Sequence, residues 1–233
     1  MSSKRSAPTS SSSRPQGKAP RKRTAAGRGR KPRETLTRER VIDAAIELAD
    51  EAGMEALSMR KLAQRLGVEA MSLYNHVPGK EALIDGMVDA VVARIDVPRP
   101  GQPWRAEMER RAWSAHRVLL AHPWASLPLI SRMNTGPAML RYIDATHGCL
   151  HGAGFDHATA DHARNVMDSH IHGFTLQELH FPVAREDYAS AARAFLPQLP
   201  PERYPHMHAI ALEIIEGRYD GVLIGAVLAT LGA

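Results

Sequence analysis

The sequence has almost no cysteine, few aromatic residues and no long apolar run. Cys149 is the single cysteine among 233 residues, which excludes an intramolecular disulfide and a metal site built from several thiolates. Aromatic residues make up only 5% of the chain, so the core must come from aliphatic side chains. The longest apolar stretch, Val222 to Leu231, has ten residues, against the roughly 20 that a membrane-spanning helix needs. We therefore expect a protein of the reducing cytoplasm that has no membrane partner.

Acidic residues are missing from the first 33 residues. This segment has eleven Lys or Arg and a charge of +11, whereas the other 200 residues carry −6. It has too little apolar surface to offset the entropy of ordering. It also lacks the apolar core of a secretory signal and the apolar face of a transit peptide. We interpret residues 1–35 as a disordered basic tail, which is either a solubilising extension or an arm that binds nucleic-acid phosphates.

Helical periodicity dominates the rest of the chain, and no alternation of Val, Ile and Thr is long enough to predict a sheet. Capping residues, glycines and prolines divide this pattern into helices with a linker near residue 100. The predicted helices cover about 38–52, 58–66, 69–77, 80–95, 104–121, 123–130, 137–151, 156–180, 185–195 and 206–231. The sequence therefore predicts an all-α fold with a small N-terminal helical unit and a larger helical body.

A helix-turn-helix pattern follows Ser58. The small Ala63 allows two helices to cross closely, Gly67 makes the turn between them, and Leu73 fills the gap beneath. The same spacing also fits an ordinary αα-hairpin in a helical bundle. Residues 58–80 contain four basic residues and one acidic residue, so the helix pair is the basic side of the unit.

The polar surface of the third helix favours DNA binding over a plain hairpin. Ser72, Tyr74, Asn75 and His76 lie on this helix, and Lys80 follows it. Such side chains bind phosphates, and Asn also bonds the edge of adenine.

The run from Leu36 to Ile95 resembles the DNA-binding domain of the TetR family of bacterial repressors. Its segment LSMRKLAQRLGVEAMSLYNHVPGKEALID contains the family's strongest signature, a Leu-Tyr-x-His-Val…Lys core. The body is similar to the family's C-terminal domain through HPWASLPL, HARNVMDSHIHGFTLQE and RYDGVLIGAVLATL. The resemblance implies a helix-turn-helix domain over 36–96, which includes a connecting helix, and a helical ligand-binding and dimerisation domain over 97–233.

By position, the resemblance places the DNA contacts at the start of the second helix, along the third helix and just after it. These residues are Ser58, Arg60, Ala70, Met71, Ser72, Tyr74, Asn75, His76 and Lys80. Ala70 and Met71 depart from the family's polar residues, because they can contact thymine methyl groups but cannot make bidentate hydrogen bonds. The operator sequence is therefore expected to differ, while the phosphate contacts are retained.

Candidate ligand contacts are polar groups on otherwise apolar helices, together with large apolar neighbours. They are Trp113, His116, Met133, Tyr142, Asn165, Met167, His170, Phe174 and Gln177. Each of these residue types also occurs in cores and interfaces that bind no ligand. His147 and His151 are four residues apart and are a weak metal candidate. No acidic residue completes an obvious metal triad, and we expect neither a metal nor a cofactor.

The resemblance also assigns a homodimer, formed by the helix over 156–180 and by the last helix, which is apolar nearly all round beyond Val222. It implies a ligand-responsive transcriptional regulator, a repressor that binds a palindromic double-stranded DNA operator and is released by a small-molecule effector. A nonspecific nucleic-acid-binding protein of the nucleoid type is the main alternative. We expect no enzyme, because the sequence has no Gly-rich phosphate loop, no nucleophile elbow and no pocket-like pair of carboxylates.

Overall fold

The computed structural model describes residues 35–218. The basic tail and the apolar run from Val222 to Leu231 lie outside the described residues, so the interpretations of both segments remain predictions. Every regular element from residue 35 to residue 218 is helical, and the prediction of an all-α fold is confirmed. The helices are α1 Arg38–Ala52, α2 Met59–Leu66, α3 Ala70–Tyr74, α4 Lys80–Val92, α5 Trp104–Ala121, α6 Ser126–Ser131, α7 Pro137–Gly152, α8 His157–His180, α9 Tyr188–Phe195 and α10 Pro205–Ile215.

The last predicted helix is wrong in its extent. The sequence pattern predicts one helix over 206–231, but α10 ends at Ile215. Gly217 has a φ of 70°, and Arg218 N–H donates to Glu213 O at 2.9 Å. A glycine in this left-handed conformation closes the helix end by satisfying its free carbonyls. Two other predicted helices are also shorter than expected, because α3 covers only five residues and α4 stops at Val92.

The N-terminal helices begin and end where local chemistry places their caps. Thr37 Oγ1 accepts from Arg40 N–H at 3.2 Å, and Ser58 Oγ accepts from Lys61 N–H at 3.3 Å. Each bond satisfies one of the free N–H groups in the first turn of its helix. Leu57 and Leu62 flank the second cap and are both buried, which fixes the angle at which the chain enters α2.

The turn between α2 and α3 has the geometry that its sequence predicts. Gly67 has a φ of 66° and donates its N–H to Gln64 O at 3.2 Å, and Val68 N–H reaches Ala63 O at 3.0 Å. This pair of bonds is the Schellman ending of a helix. Leu73 is completely buried beneath the turn. The predicted roles of the turn glycine and of the leucine plug are therefore confirmed, and Ala63 is buried in the same helix pair.

Helix α4 joins the N-terminal helices to the body through three acidic residues at four-residue spacing, which places them on one face. Arg132 Nη1 donates to Glu81 Oε2 at 2.6 Å, and its Nη2 donates to Asp85 Oδ1 at 2.7 Å. Asp89 Oδ1 accepts from the first backbone N–H groups of α7 at 2.9 and 3.0 Å. A side chain at Gly136 would overlap the Asp89 carboxylate, so this close approach requires glycine.

A second junction links the end of α1 to the turn before α6. Asp50 Oδ1 accepts from His122 Nδ1 at 2.8 Å and from Trp124 Nε1 at 2.7 Å. Arg94 Nη1 lies 2.7 Å from His122 Nε2. Because arginine only donates, His122 Nε2 must be the acceptor and Nδ1 must hold the proton. One hydrophobic core, which includes Leu73, Met87 and Leu119 among its members, runs through both parts of the chain.

Candidate DNA-binding surface and ligand cavity

Helix α3 presents polar and large side chains while one leucine anchors it. Met71 is 75% exposed and Tyr74 is 44% exposed, whereas Leu73 is buried. The other seven predicted DNA contacts are exposed or half-buried, and they are Ser58, Arg60, Ala70, Ser72, Asn75, His76 and Lys80. A short helix held from beneath by one buried residue keeps these side chains available to a partner.

The basic side chains of this region differ in whether the protein already uses them. Arg65 binds Glu51 at 2.6 Å and Glu47 at 3.0 Å, which ties α2 to α1. The side chains of Arg60, Lys61 and Lys80 form no ion pair or hydrogen bond with any residue from 35 to 218. The Lys61 side chain is unpaired like that of Arg60, although Lys61 is not among the DNA contacts predicted from the family resemblance. Unpaired cations next to an exposed helix suit a polyanionic partner.

The body contains a cavity of about 580 Å³ between the end of α4, α5, the segment from α6 to α7, and α8. This volume falls within the range of sites for small molecules. Its apolar wall consists mainly of Val92, Ile95, Ala115, Leu119, Leu129, Ile130, Met139, Ile143, Ile171 and Leu176. Its polar wall consists of Arg132, Asn134, Tyr142, Arg164, Asn165, Asp168, Ser169 and His172.

The structure places only two of the nine predicted ligand contacts, Tyr142 and Asn165, in the lining of this cavity. Met133 lies on the surface with 91% of its area exposed, and Gln177 is also exposed. Met167 packs with Met108 in a separate small core. Met133, Met167 and Gln177 therefore do not share a site with one another or with the cavity.

The other four predicted ligand contacts form a cluster of rings along α5 and α8. The ring centroids of His116 and Phe174 are 5.4 Å apart, those of Trp113 and His116 are 6.1 Å apart, and those of His170 and Phe174 are 6.1 Å apart. His116 Nδ1 lies 2.8 Å from Thr175 Oγ1. This cluster is not part of the cavity lining, because residues 170, 174 and 177 follow one face of α8 while the cavity faces another.

Apart from Tyr142 and Asn165, sequence reasoning missed the polar groups that line the cavity. Arg164, Asp168 and His172 are spaced four residues apart, so they share one face of α8. This spacing was the available signal for them. Arg132 and Asn134 lie between α6 and α7, where no periodicity indicates their direction.

Ion pairs and buried neutral groups make up the polar wall. Arg111 is fully buried, is ion-paired with Asp168, and has its guanidinium carbon 4.3 Å from the centre of the Tyr142 ring. Arg164 Nη1 donates to Asp168 Oδ2 at 3.0 Å. Burial raises the pKa of the Tyr142 phenol above its usual value and lowers the pKa of His172, so both side chains are neutral near pH 7.

No group of three or more potential metal ligands occurs within residues 35–218. His147 Nε2 instead lies 3.3 Å from Asp161 Oδ1, and the rings of His151 and His157 are stacked at 4.5 Å. None of the helices in this described range is long and apolar enough to span a lipid bilayer.

Two family models match the chain in succession. Residues 41–87 match the model of bacterial regulatory proteins of the tetR family, and residues 97–217 match the model of the tetracyclin repressor-like C-terminal domain. These matches cover most of α1 to α4 and the whole described part of the body up to residue 217.

Two curated relatives are similar to the chain. An HTH-type transcriptional regulator of Saccharopolyspora erythraea is 37% identical over 139 residues, which are 59% of this chain and 59% of the relative. The HTH-type transcriptional repressor DrrR1 of Streptomyces coeruleorubidus is 33% identical over 153 residues, which are 65% of this chain and 57% of the relative. The chain thus matches less than two thirds of the length of each relative.

A solved structure extends the similarity across the body. The TetR family protein ActR of Streptomyces coelicolor, crystallised in complex with actinorhodin, is 27% identical with a TM-score of 0.66. The similarity covers 84% of this chain and 98% of ActR. Since one family model matches the N-terminal helices and another alone matches more than half of the chain, the chain belongs to the tetR family of bacterial regulatory proteins.

Proposed function

We propose that the chain is a ligand-responsive transcriptional repressor that binds a palindromic operator as a homodimer and leaves it when a small molecule occupies the cavity. Its DNA-binding domain covers 36–96, and its ligand-binding and dimerisation domain covers 97–233. The observation that carries the proposal is the exposure of one face of α3. Buried Leu73 anchors this helix, while Met71 and Tyr74 are exposed beside unpaired basic side chains.

The proposed DNA contacts divide into two kinds. Tyr74 and Lys80 contact phosphates, so they position the protein without selecting a sequence. Ala70 and Met71 contact base edges, where apolar side chains meet thymine methyl groups. The remaining candidates, Ser58, Arg60, Ser72, Asn75 and His76, contribute further contacts with the same duplex.

The proposed homodimer is supported by apolar surface that the described part of one chain leaves open. Val166 on α8 is 52% exposed, Phe195 on α9 is 48% exposed, and Met207 on α10 is 51% exposed. Phe195 and Met207 line one apolar groove between α9 and α10, and contiguous exposed apolar surface is typical of sites that a partner covers. A second copy would place two α3 helices about 34–36 Å apart, or a near multiple, so that they meet successive major grooves.

The proposed ligand response is supported by the position of the cavity. Val92 and Ile95 at the end of α4 form part of its wall, and Arg132 in the same wall holds the start of α4. An occupant would therefore contact the helix that joins the two domains. The similar protein ActR was crystallised in complex with actinorhodin, which supports the proposal that a small molecule occupies this cavity.

Footprinting on genomic fragments tests the repressor against the nucleoid-type alternative. The proposed repressor protects short palindromic sites and leaves the flanking DNA open to the nuclease. Uniform protection along every fragment would contradict the proposal and support nonspecific binding. Light scattering on the same sample gives the mass, and a monomer at micromolar concentration would contradict the dimer.

The basic tail is proposed to add phosphate contacts. Residues 1–33 carry eleven positive charges next to the first helix, so a tethered arm has a high local concentration beside bound DNA. If each chain uses three or four of these charges, removing the tail lowers the slope of log affinity against log salt by about 3 per chain. Equal slopes for the full-length and truncated proteins would show that the tail is only a solubilising extension.

A further inference from the structure

The lining of the cavity contains three charged side chains, and each of them is already paired inside the protein. The first is Arg132, whose guanidinium donates to Glu81 Oε2 at 2.6 Å and to Asp85 Oδ1 at 2.7 and 3.0 Å. Its side chain is 25% exposed. The positive charge of Arg132 is therefore already engaged by two carboxylates of α4.

The second and third charged side chains balance each other and a buried arginine. Asp168 accepts from Arg111 through Oδ1 and from Arg164 through Oδ2. Arg164 also donates to Asp161 Oδ1 at 2.9 Å. The chain of alternating charges, Arg111 to Asp168 to Arg164 to Asp161, sums to zero. It leaves no side-chain charge in this wall that lacks a partner.

The remaining polar groups of the wall are neutral. Asn165 donates to Asp161 Oδ2 at 3.0 Å and accepts from Arg164 at 2.8 Å, so its amide is already used. The Ser169 hydroxyl and the His172 imidazole lie three residues apart on α8, and both residues line the cavity. Burial lowers the pKa of His172, and the charge of Arg111 lowers it further, against an opposing effect from Asp168.

We propose that the cavity binds an uncharged, predominantly apolar small molecule whose polar group meets Ser169 and His172. An ionic ligand would have to break one of the protein's ion pairs or remain buried without a counter-charge, and both cost more than binding a neutral body of the same shape. The proposal names the class of the effector, and it rests on the proposed function only in treating the cavity as the effector site.

Two fluorescent probes with the same aromatic body separate the alternatives. N-phenyl-1-naphthylamine is neutral, and 8-anilinonaphthalene-1-sulfonate carries one negative charge. We expect the full-length protein, without DNA, to bind the neutral probe at least about tenfold more tightly, since one unpaired charge costs more than the tenfold equivalent in affinity. Equal affinities, or tighter binding of the sulfonate, at a site inside the cavity would overturn the proposal.

A matched pair of glycine variants shows whether the probe is inside the cavity. Gly173 lines the cavity, Gly148 on α7 does not, and an added side-chain carbon meets nothing within 4 Å at either position. Both lie within helices, so leucine also improves helix propensity at both. Gly173→Leu is expected to weaken the neutral probe at least about tenfold by filling the space, whereas Gly148→Leu leaves it within about twofold. Neutral-probe binding that Gly173→Leu leaves unchanged would overturn the proposal.

Releasing the charge of Arg132 should change the preference between the probes. The double variant Glu81→Gln with Asp85→Asn removes both partners, which are 74% and 54% exposed, so the fold is retained. The sulfonate is expected to gain at least about fivefold relative to the neutral probe, because an unpaired cation then faces the cavity. Glu47→Gln is the control, because it changes the pairing of Arg65 on α2, away from the cavity.

A ratio of affinities that stays constant in the double variant would overturn the proposal, because charge pairing would then not set the selectivity. These probe measurements contain no DNA, so their failure is distinct from failure of the repressor assignment. Loss of footprints with an intact neutral preference would contradict only the repressor, and footprints with a preference for the sulfonate would contradict only the effector class.

Discussion

The helix-turn-helix region and the cavity treat their charged side chains in opposite ways. Around α3, Arg60, Lys61 and Lys80 have no internal partner within the described range, although Arg65 nearby is fully engaged. In the cavity wall, Arg132, Arg164 and Asp168 are all paired. Basic side chains are unpaired near α3, where a polyanion would bind. Charged side chains are ion-paired in the cavity wall, where a small molecule would bind.

This difference follows from solvent as much as from the partner. An exposed lysine stays hydrated at little cost and attracts phosphates over a distance set by the salt concentration. A charge in a largely apolar cavity is hydrated less well, so a counter-charge lowers its cost even when no ligand is bound. The contrast between the regions can be tested by removing one ion pair from each of them. We expect the two variants to differ most in their free energy of unfolding.

The largest effect is expected for Asp168→Asn. Arg111 is fully buried and would lose its counter-charge, which costs about 3–5 kcal/mol of unfolding free energy. Glu51→Gln removes a pair of similar distance from exposed Arg65 and should leave stability nearly unchanged, because surface pairs contribute little. Urea unfolding of both variants compares the regions directly, and equal losses would show that burial does not distinguish their ion pairs.

Neighbouring positions of α3 provide the next contrast. Leu73→Ala removes a completely buried side chain and should cost about 2–5 kcal/mol in unfolding free energy, with some loss of helix at the turn. Met71→Ala changes a side chain that is 75% exposed and should stay within about 0.5 kcal/mol of the parent. Thermal unfolding followed by circular dichroism measures both. A costly Met71→Ala would mean that this side chain is packed rather than presented.

The free charge of Lys80 should affect DNA affinity without affecting sequence preference. We expect Lys80→Ala to weaken binding about tenfold on all operators and to reduce the salt slope by about 1. Tyr74→Ala should likewise weaken all operators. Changes at Ala70 or Met71 should instead alter the preferred bases. Selection from a random DNA pool distinguishes these cases, and an altered preference for Lys80→Ala but not for Met71 variants would reverse the assignment.

A smaller effect is expected from Glu107, a paired carboxylate in the first turn of α5. Arg99 and Arg110 donate to Glu107 and lower its pKa to about 2. The ionised form is therefore favoured in the folded state, and this stabilisation is present above about pH 4.3, the usual pKa of an unfolded glutamate. As the pH falls from there to about 2, the unfolded chain takes up the proton first and the stabilisation is lost.

Melting temperatures of Glu107→Gln and the parent should therefore differ clearly at neutral pH and converge in acid. Glu109→Gln, on the exposed side of the same helix, is the control and should follow the parent at every pH. A difference for Glu107→Gln that stays constant down to acid pH would contradict the role of its charge.

The part of the molecule that the sequence predicted best is the part held by local interactions. Ser58, Gly67 and Leu73 specify a cap, a turn and a plug within a short stretch, and each does what its residue type favours. The cavity depends instead on how α5, α7 and α8 pack. Helix α8 has polar residues on two faces. A selection of polar residues and their large apolar neighbours therefore included His170 and Phe174 of the ring cluster but not Asp168 and His172 of the cavity wall.

The comparison between the regions is tested most directly by one salt titration read with two partners. Fluorescence reports the affinity of the same protein for a selected palindromic duplex and for N-phenyl-1-naphthylamine, between about 50 and about 200 mM salt. DNA affinity should fall about a thousandfold over this range if the dimer makes about six phosphate contacts, while the affinity for the neutral probe stays within about twofold. A DNA affinity that does not change with salt, or a probe affinity that falls with it, would contradict the account.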